Sequence, residues 1–180
     1  MRKGTILIFL LLLVAATEAN TLSACGPQTK AFRHGELVKF QVYYTLAGIW
    51  VHAGNVSFKI NLETLNNKPV YHIVGDGTTL SSYDWIYRVR DRYESYIDTS
   101  SLVPYKFIRN VNEGGYKIYE NVTFNHENHT ATSSKGVFAI PACVQDVLSE
   151  VYLARSMDFN NAKPGDLIPF NLFLDNEVNN

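Results

Sequence analysis

Pro104-Tyr105-Lys106-Phe107-Ile108-Arg109-Asn110-Val111-Asn112-Glu113-Gly114-Gly115-Tyr116-Lys117-Ile118-Tyr119-Glu120-Asn121-Val122-Thr123-Phe124 contains two strands and the turn between them. Asn112-Glu113-Gly114-Gly115 is a strong hairpin signal, because adjacent glycines accept the positive φ values of a tight turn. Pro104 opens the first strand, and Tyr116, Ile118, Glu120, Val122 and Phe124 carry the return strand. A period of two continues on both sides of this hairpin, which points to antiparallel strands with one face buried and one wet.

Upstream, Val38, Phe40, Val42, Tyr44 and Leu46 share one side of a strand that starts near Glu36. Ala47-Gly48 interrupts, and Val56, Phe58, Ile60 and Leu62 alternate with Ser57, Lys59 and Asn61. Trp50 and His52, beside Ala53-Gly54, read as a bent strand with a packed aromatic. Asn66-Asn67-Lys68-Pro69 turns the chain into Val70–Val74, and Gly75-Asp76-Gly77 ends that block. Ser82–Tyr87 is an irregular or single-turn helical connection, and Arg88–Ile97 alternates as a strand. Downstream, Asn125–Asn128 turns into a polar strand over Thr130–Lys135.

One helix is expected. Pro141 suits a first turn, and Cys143, Val144, Val147, Leu148, Val151 and Tyr152 form an apolar stripe. Gln145, Asp146, Ser149 and Glu150 then form the wet side, with Cys143 at the start of the helix facing the sheet. Leu167–Leu174 reads as a final strand, followed by Asp175–Asn180 with no closing strand. The fold class is therefore α+β, mainly β: a strongly curved antiparallel sheet, half-barrel-like, with one amphipathic helix packed on it. A single domain over 35–180 is expected, C-terminally incomplete, with Leu167–Leu174 as an exposed, association-prone edge.

Arg2-Lys3, the apolar run Ile6–Ala16 and Thr17-Glu18-Ala19 have the three parts of an export signal, assigned to residues 1–19. The run is too short to span a membrane, and no transmembrane span is expected elsewhere. Residues 20–34 form a lead-in carrying Cys25. Leu22-Ser23-Ala24-Cys25 also fits a lipobox, which would extend the signal to 24, acylate Cys25 and bring the protein to the membrane. An oxidising compartment instead favours pairing Cys25 with Cys143, the only other cysteine. Both fates of Cys25 are open on the residues alone.

The chain is nearly neutral, with a formal net charge of −1, which excludes the basic excess of a nucleic-acid binder. No nucleophile elbow, phosphate loop or metal-ligand set occurs, so no catalytic residue, metal or cofactor is assigned. His126-Glu127-Asn128-His129 falls in a turn and has no third ligand nearby. The densest polar cluster is Tyr83–Glu94. There Arg88, Arg90 and Arg92, with Trp85 and with Trp50 from the earlier strand, are the candidate ligand-binding residues. The competing reading is a solvated face of cross-strand ion pairs.

Several of these stretches resemble a known family. Phe32-Arg33-His34-Gly35-Glu36-Leu37, Ile49-Trp50-Val51-His52-Ala53-Gly54, Ser82-Tyr83-Asp84-Trp85, Val89–Asp98, Leu102-Val103-Pro104, Glu113-Gly114-Gly115-Tyr116 and Gln145–Ser149 are similar, in this order, to members of the domain of unknown function 3108 family (DUF3108). The resemblance implies an exported protein of the periplasm or cell envelope of a Gram-negative bacterium, of Bacteroidota type. It also implies a cysteine pair placed as Cys25 and Cys143, and a C-terminal continuation with further strands. The fold is similar to the half-barrel of periplasmic lipoprotein carriers of the LolA type. From this follow two functional expectations. One is a non-enzymatic envelope protein that binds a lipid, another hydrophobic ligand or an envelope-protein partner on its curved sheet. The alternative is an envelope enzyme or glycan-binding module using Tyr83–Glu94, with Asp84, Asp91 or Glu94 as base.

Overall fold

The computed structural model describes residues 25–27 and 30–179; the export signal expected at 1–19 and residues 20–24 lie outside the described residues. Eight strands form one antiparallel meander in chain order: β1 (Leu37–Leu46), β2 (Ile49–Leu65), β3 (Lys68–Thr79), β4 (Arg90–Asp98), β5 (Pro104–Glu113), β6 (Tyr116–Asn125), β7 (Thr130–Ser133) and β8 (Gly136–Ala139). The sheet is curved and does not close, leaving β1 and β8 as its edges. A separate hairpin, β9 (Leu172–Leu174) with β10 (Glu177–Asn179), and one helix, α1 (Val147–Arg155), complete the fold.

Turn chemistry sets this topology. Ala47-Gly48, Asn66-Asn67, Gly114-Gly115 and Asp175-Asn176 each connect two strands directly, and every one of these residues has positive φ. Two consecutive left-handed residues match the twist of the flanking strands, which is why Gly and Asn dominate these positions. The residue pattern predicts no closing strand after Leu174. Asp175-Asn176 in fact turns the chain into β10, because Asp and Asn tolerate the left-handed region better than other side chains. Short strand β8 was also unread, and the expected strand over Leu167–Leu174 is irregular until Leu172.

The inner face of the sheet carries two apolar clusters. Ile60, Ile73 and Ile97 from β2, β3 and β4 pack with Phe32, Leu102, Leu148 and Tyr152. Phe107, Val122, Phe124 and Ala131 pack with Ile140, Val144 and Phe173. Phe32 reaches the first cluster from the lead-in and meets Tyr71 and Tyr152 edge to face, at 5.4 and 4.9 Å between centroids. The covering pieces are thus α1, the lead-in and the β9–β10 hairpin.

The start of α1 differs from the expected helix. Cys143 has φ of 58° and lies in a loop before the helix, and Asp146 is the N-cap. Gln145, Asp146 and Ser149, expected on the wet side, are buried, whereas Val151 is exposed. The reason is capping. Asp146 accepts from the amides of Leu148 and Ser149, and Ser149 Oγ accepts from the Asp146 amide in return. The second carboxylate oxygen of Asp146 accepts from Ser95 Oγ on β4, which fastens the helix start to the sheet.

Cys25 and Cys143 form a disulfide across 118 residues of sequence. It occupies the sulfur that acylation of Cys25 would need. Gly26 follows in a gap where a Cβ would overlap the Ser100 carbonyl, so the lead-in lies tight against the β4–β5 loop. No helix among the described residues is long and apolar enough to cross a membrane.

Closing a loop of this length stabilises a fold by about 4–5 kcal/mol in the chain-entropy model. Cys25→Ser with Cys143→Ser is expected to lower stability by about 3–5 kcal/mol in denaturant titration; a loss below about 1 kcal/mol would show that the lead-in adds little. Burial pushes the Asp146 carboxyl up from 3.8 to about 6, against the opposing hydrogen bonds from Ser95, Ser149 and Leu148. A raised value means that its contribution is full below pH 4 and is lost as pH rises through 6. Asp146→Asn keeps a capping oxygen and removes the charge. Its stability should match wild type at pH 4 and exceed it at pH 7, by up to about 3 kcal/mol; a pH-independent difference contradicts this.

Candidate binding surface

A meander places alternate turns at opposite ends of the sheet. One end holds the β1–β2 turn, the β3–β4 connection and the β5–β6 turn, whereas the short β7 pairs only with Thr123–Asn125 and leaves the β7–β8 turn at mid-sheet. The other holds Asn66-Asn67, the β4–β5 loop at Thr99–Val103 and the β6–β7 turn at His126–His129. The two ends differ in chemistry. At the first, Ile49, Trp50, Trp85, Ile86, Tyr87 and Tyr116 are all more than half exposed, Trp50 at 73% and Trp85 at 82%. At the second, the turn residues are polar or, like Leu102 and Val103, buried.

The β3–β4 connection is built to present its aromatics. A single 3-10 turn at Ser81–Tyr83 starts it. Thr79 Oγ1 donates to Asp84 Oδ1 at 2.7 Å, and Arg90 Nη2 donates to Asp84 Oδ2 at 2.6 Å. Those two hydrogen bonds, Thr79 first, hold the Asp84 carboxyl below its ordinary value. Trp85 Nε1 donates to the Ser82 carbonyl at 2.9 Å, so its polar group is satisfied while the ring faces solvent. Tyr87 lies over Gly114, where any Cβ would overlap its ring, and the Gly114 amide donates to the Arg88 carbonyl at 2.9 Å. Two of the tips are thereby joined.

Of the sequence-derived candidates, Trp50, Trp85 and Arg88 arrive at this end. Trp50 was expected to pack; the bulge near Val42–Tyr43 bends the hairpin as anticipated, but the ring is exposed. Arg88 precedes β4 and is exposed, with no ion pair among the described residues. Arg90 instead locks the connection through Asp84. Arg92 lies on the outer face, where it reaches Asp76 at 2.9 Å and Glu94 at 2.8 Å.

The outer face also holds a side-chain network that the sequence reading missed. His72 sits between Glu63 and Glu94, at 2.9 Å from each, and stacks on Tyr96 with centroids 4.1 Å apart. Burial works to raise the Glu94 carboxyl, yet hydrogen bonds from Arg92 and His72 bring it below its usual value. Only cross-strand register brings these residues together: His72 pairs with Tyr96, and Val74 with Glu94. Asp91 points to the inner face and shares a hydrogen bond with Glu113, which raises the Glu113 carboxyl. Asp84, Asp91 and Glu94 therefore occupy three different environments.

On the inner face, α1 packs mainly on β4 and β9, and β1 stays uncovered. Register puts Val38, Phe40 and Val42 of β1 beside Phe58, Val56 and Gly54 of β2 on this face. Phe40 is 52% exposed and Tyr44 66%. Phe40 and Phe58 meet edge to face at 6.1 Å, and Gly75 leaves room for the Phe58 ring. The result is an open apolar trough along β1 and β2. Other depressions among the described residues include a cleft of about 910 Å³ beside the disulfide and a groove of about 430 Å³ on β1–β3.

Residues 39–180 match the family model described as protein of unknown function, DUF3108. The chain belongs to the DUF3108 family. No curated protein and no solved structure matches it. In this DUF3108 protein the matched span takes in all ten strands except the first residues of β1, together with the helix, so the trough and the aromatic end both lie within the family domain.

If Arg90 and Asp84 serve to brace the connection, Asp84→Ala should loosen it without unfolding the sheet. Trypsin cleavage after Arg88, mapped by mass spectrometry, is expected to accelerate several-fold, with the far-ultraviolet spectrum unchanged. Equal cleavage rates would show that the pair does not restrain the loop.

Proposed function

We propose that this chain is a non-enzymatic cell-envelope protein that holds an acyl chain or similar apolar ligand in the trough along β1 and β2. The exposure of Phe40 and Tyr44 on the inner face carries this reading. Elsewhere on that face, side chains such as Ile60, Ile73, Ile97 and Val122 are at or near zero exposure, so the apolar surface that remains accessible is concentrated on the β1 side. The ligand accordingly lies on the sheet rather than inside a closed cavity. A disulfide spanning most of the domain fits an oxidising compartment, in keeping with the export signal read in residues 1–19.

Binding to the folded state alone raises stability by about 2.7 kcal/mol when ligand exceeds its Kd a hundredfold. A fluorescent long-chain fatty acid should therefore gain emission on binding and raise the Tm by several degrees. Phe40→Asp combined with Tyr44→Asp should abolish both effects. Val137→Asp, an equally exposed position on β8, should leave them intact. No emission gain and no Tm shift with the wild-type protein would reject the reading.

A further inference from the structure

We propose that the end of the sheet carrying Ile49, Trp50, Trp85, Ile86, Tyr87 and Tyr116 docks on the surface of a lipid bilayer. This goes beyond the trough reading and rests mainly on other residues. The side chains come from three separate turns that the meander brings to one end, whereas the turns at the opposite end expose only polar groups. Burial of apolar surface cannot explain the difference, because these rings are exposed and the core is complete without them.

Their chemistry matches a bilayer interface. Trp and Tyr concentrate at the headgroup level of membranes, with apolar side chains such as Ile reaching deeper. Trp85 enters that environment at little polar cost, since its indole N–H already bonds Ser82. Arg88, three residues further on, is exposed and has no ion-pair partner among the described residues, unlike Arg90 and Arg92, which leaves a cation suited to lipid phosphate. Membrane contact through this end needs no acyl group, which fits a Cys25 committed to the disulfide.

The test uses the chain's own spectroscopy, because its two tryptophans are both in the proposed surface. Oxidised, non-acylated protein is mixed with vesicles of phosphatidylethanolamine containing a minority of phosphatidylglycerol. The expected result is co-flotation, a blue shift of tryptophan emission and quenching by bromine-labelled acyl chains. Trp85→Ser with Ile86→Ser should reduce vesicle partitioning at least tenfold. Leu62→Ser, an exposed apolar position near the opposite end, should leave partitioning unchanged, and circular dichroism checks that each variant folds. Absence of flotation with unshifted emission overturns the proposal. So does a wild-type dimer in light scattering that Trp85→Ser converts to monomer without any vesicle binding, since the surface would then be a contact between copies. Fatty-acid binding in the trough is read separately, so either result can fail without the other.

Discussion

Four consecutive residues, Cys143 to Asp146, tie every covering piece of this molecule to the sheet. Cys143 holds the lead-in through the disulfide. Val144 is fully buried in the second apolar cluster. Gln145 pairs with the last hairpin, its amide donating to Asn171 and its carbonyl accepting from Phe173. Asp146 caps α1 and accepts from Ser95 on β4. A nine-residue helix has little intrinsic stability in water, so it persists because its start is fixed to the sheet. The positive φ of Cys143 directs the chain into this knot. Losing the segment would loosen the lead-in, the hairpin and the helix together.

That organisation explains how much the residues disclosed in advance. Strand alternation and the Gly-Gly and Asn-Asn turns are local signals, and they gave the order and type of the strands through β7. The knot is not local. Gln145 and Asp146 fall at positions that look like the wet side of a helix beginning at Pro141. What buries them is a partner on β4 and another near β9, both remote in sequence. An Asp just before an apolar run is a cap signal, and giving it priority over the periodicity would have put the helix start where it is.

The functional surfaces divide in the same way. The prominence of Trp50, Trp85 and Arg88 could be read from composition, but their meeting at one end follows from the strand order. The three arginines illustrate the limit of alternation. Arg90 and Arg92 do share a strand face, yet Asp84, Asp76 and Glu94 engage them, while Arg88 lies outside the strand. Phe40 and Tyr44 fall on the side of β1 whose alternation is that of a buried face. They remain exposed because the covering pieces gather around the knot, on the β4 side of the sheet.

Uncovered apolar surface is costly, at about 25 cal/mol for each Å² kept in water, and isolated exposed rings on a soluble domain need no explanation. Here the exposed residues are not isolated. Those on β1 and β2 run along the inner face toward the same end that bears the three aromatic tips, with Tyr44 and Ile49 close to where the two meet. A trough that opens at a lipid-facing end would let an acyl chain pass between bilayer and sheet without crossing water. The polar network around His72 lies on the outer face, away from that route, and ties β2, β3 and β4 together.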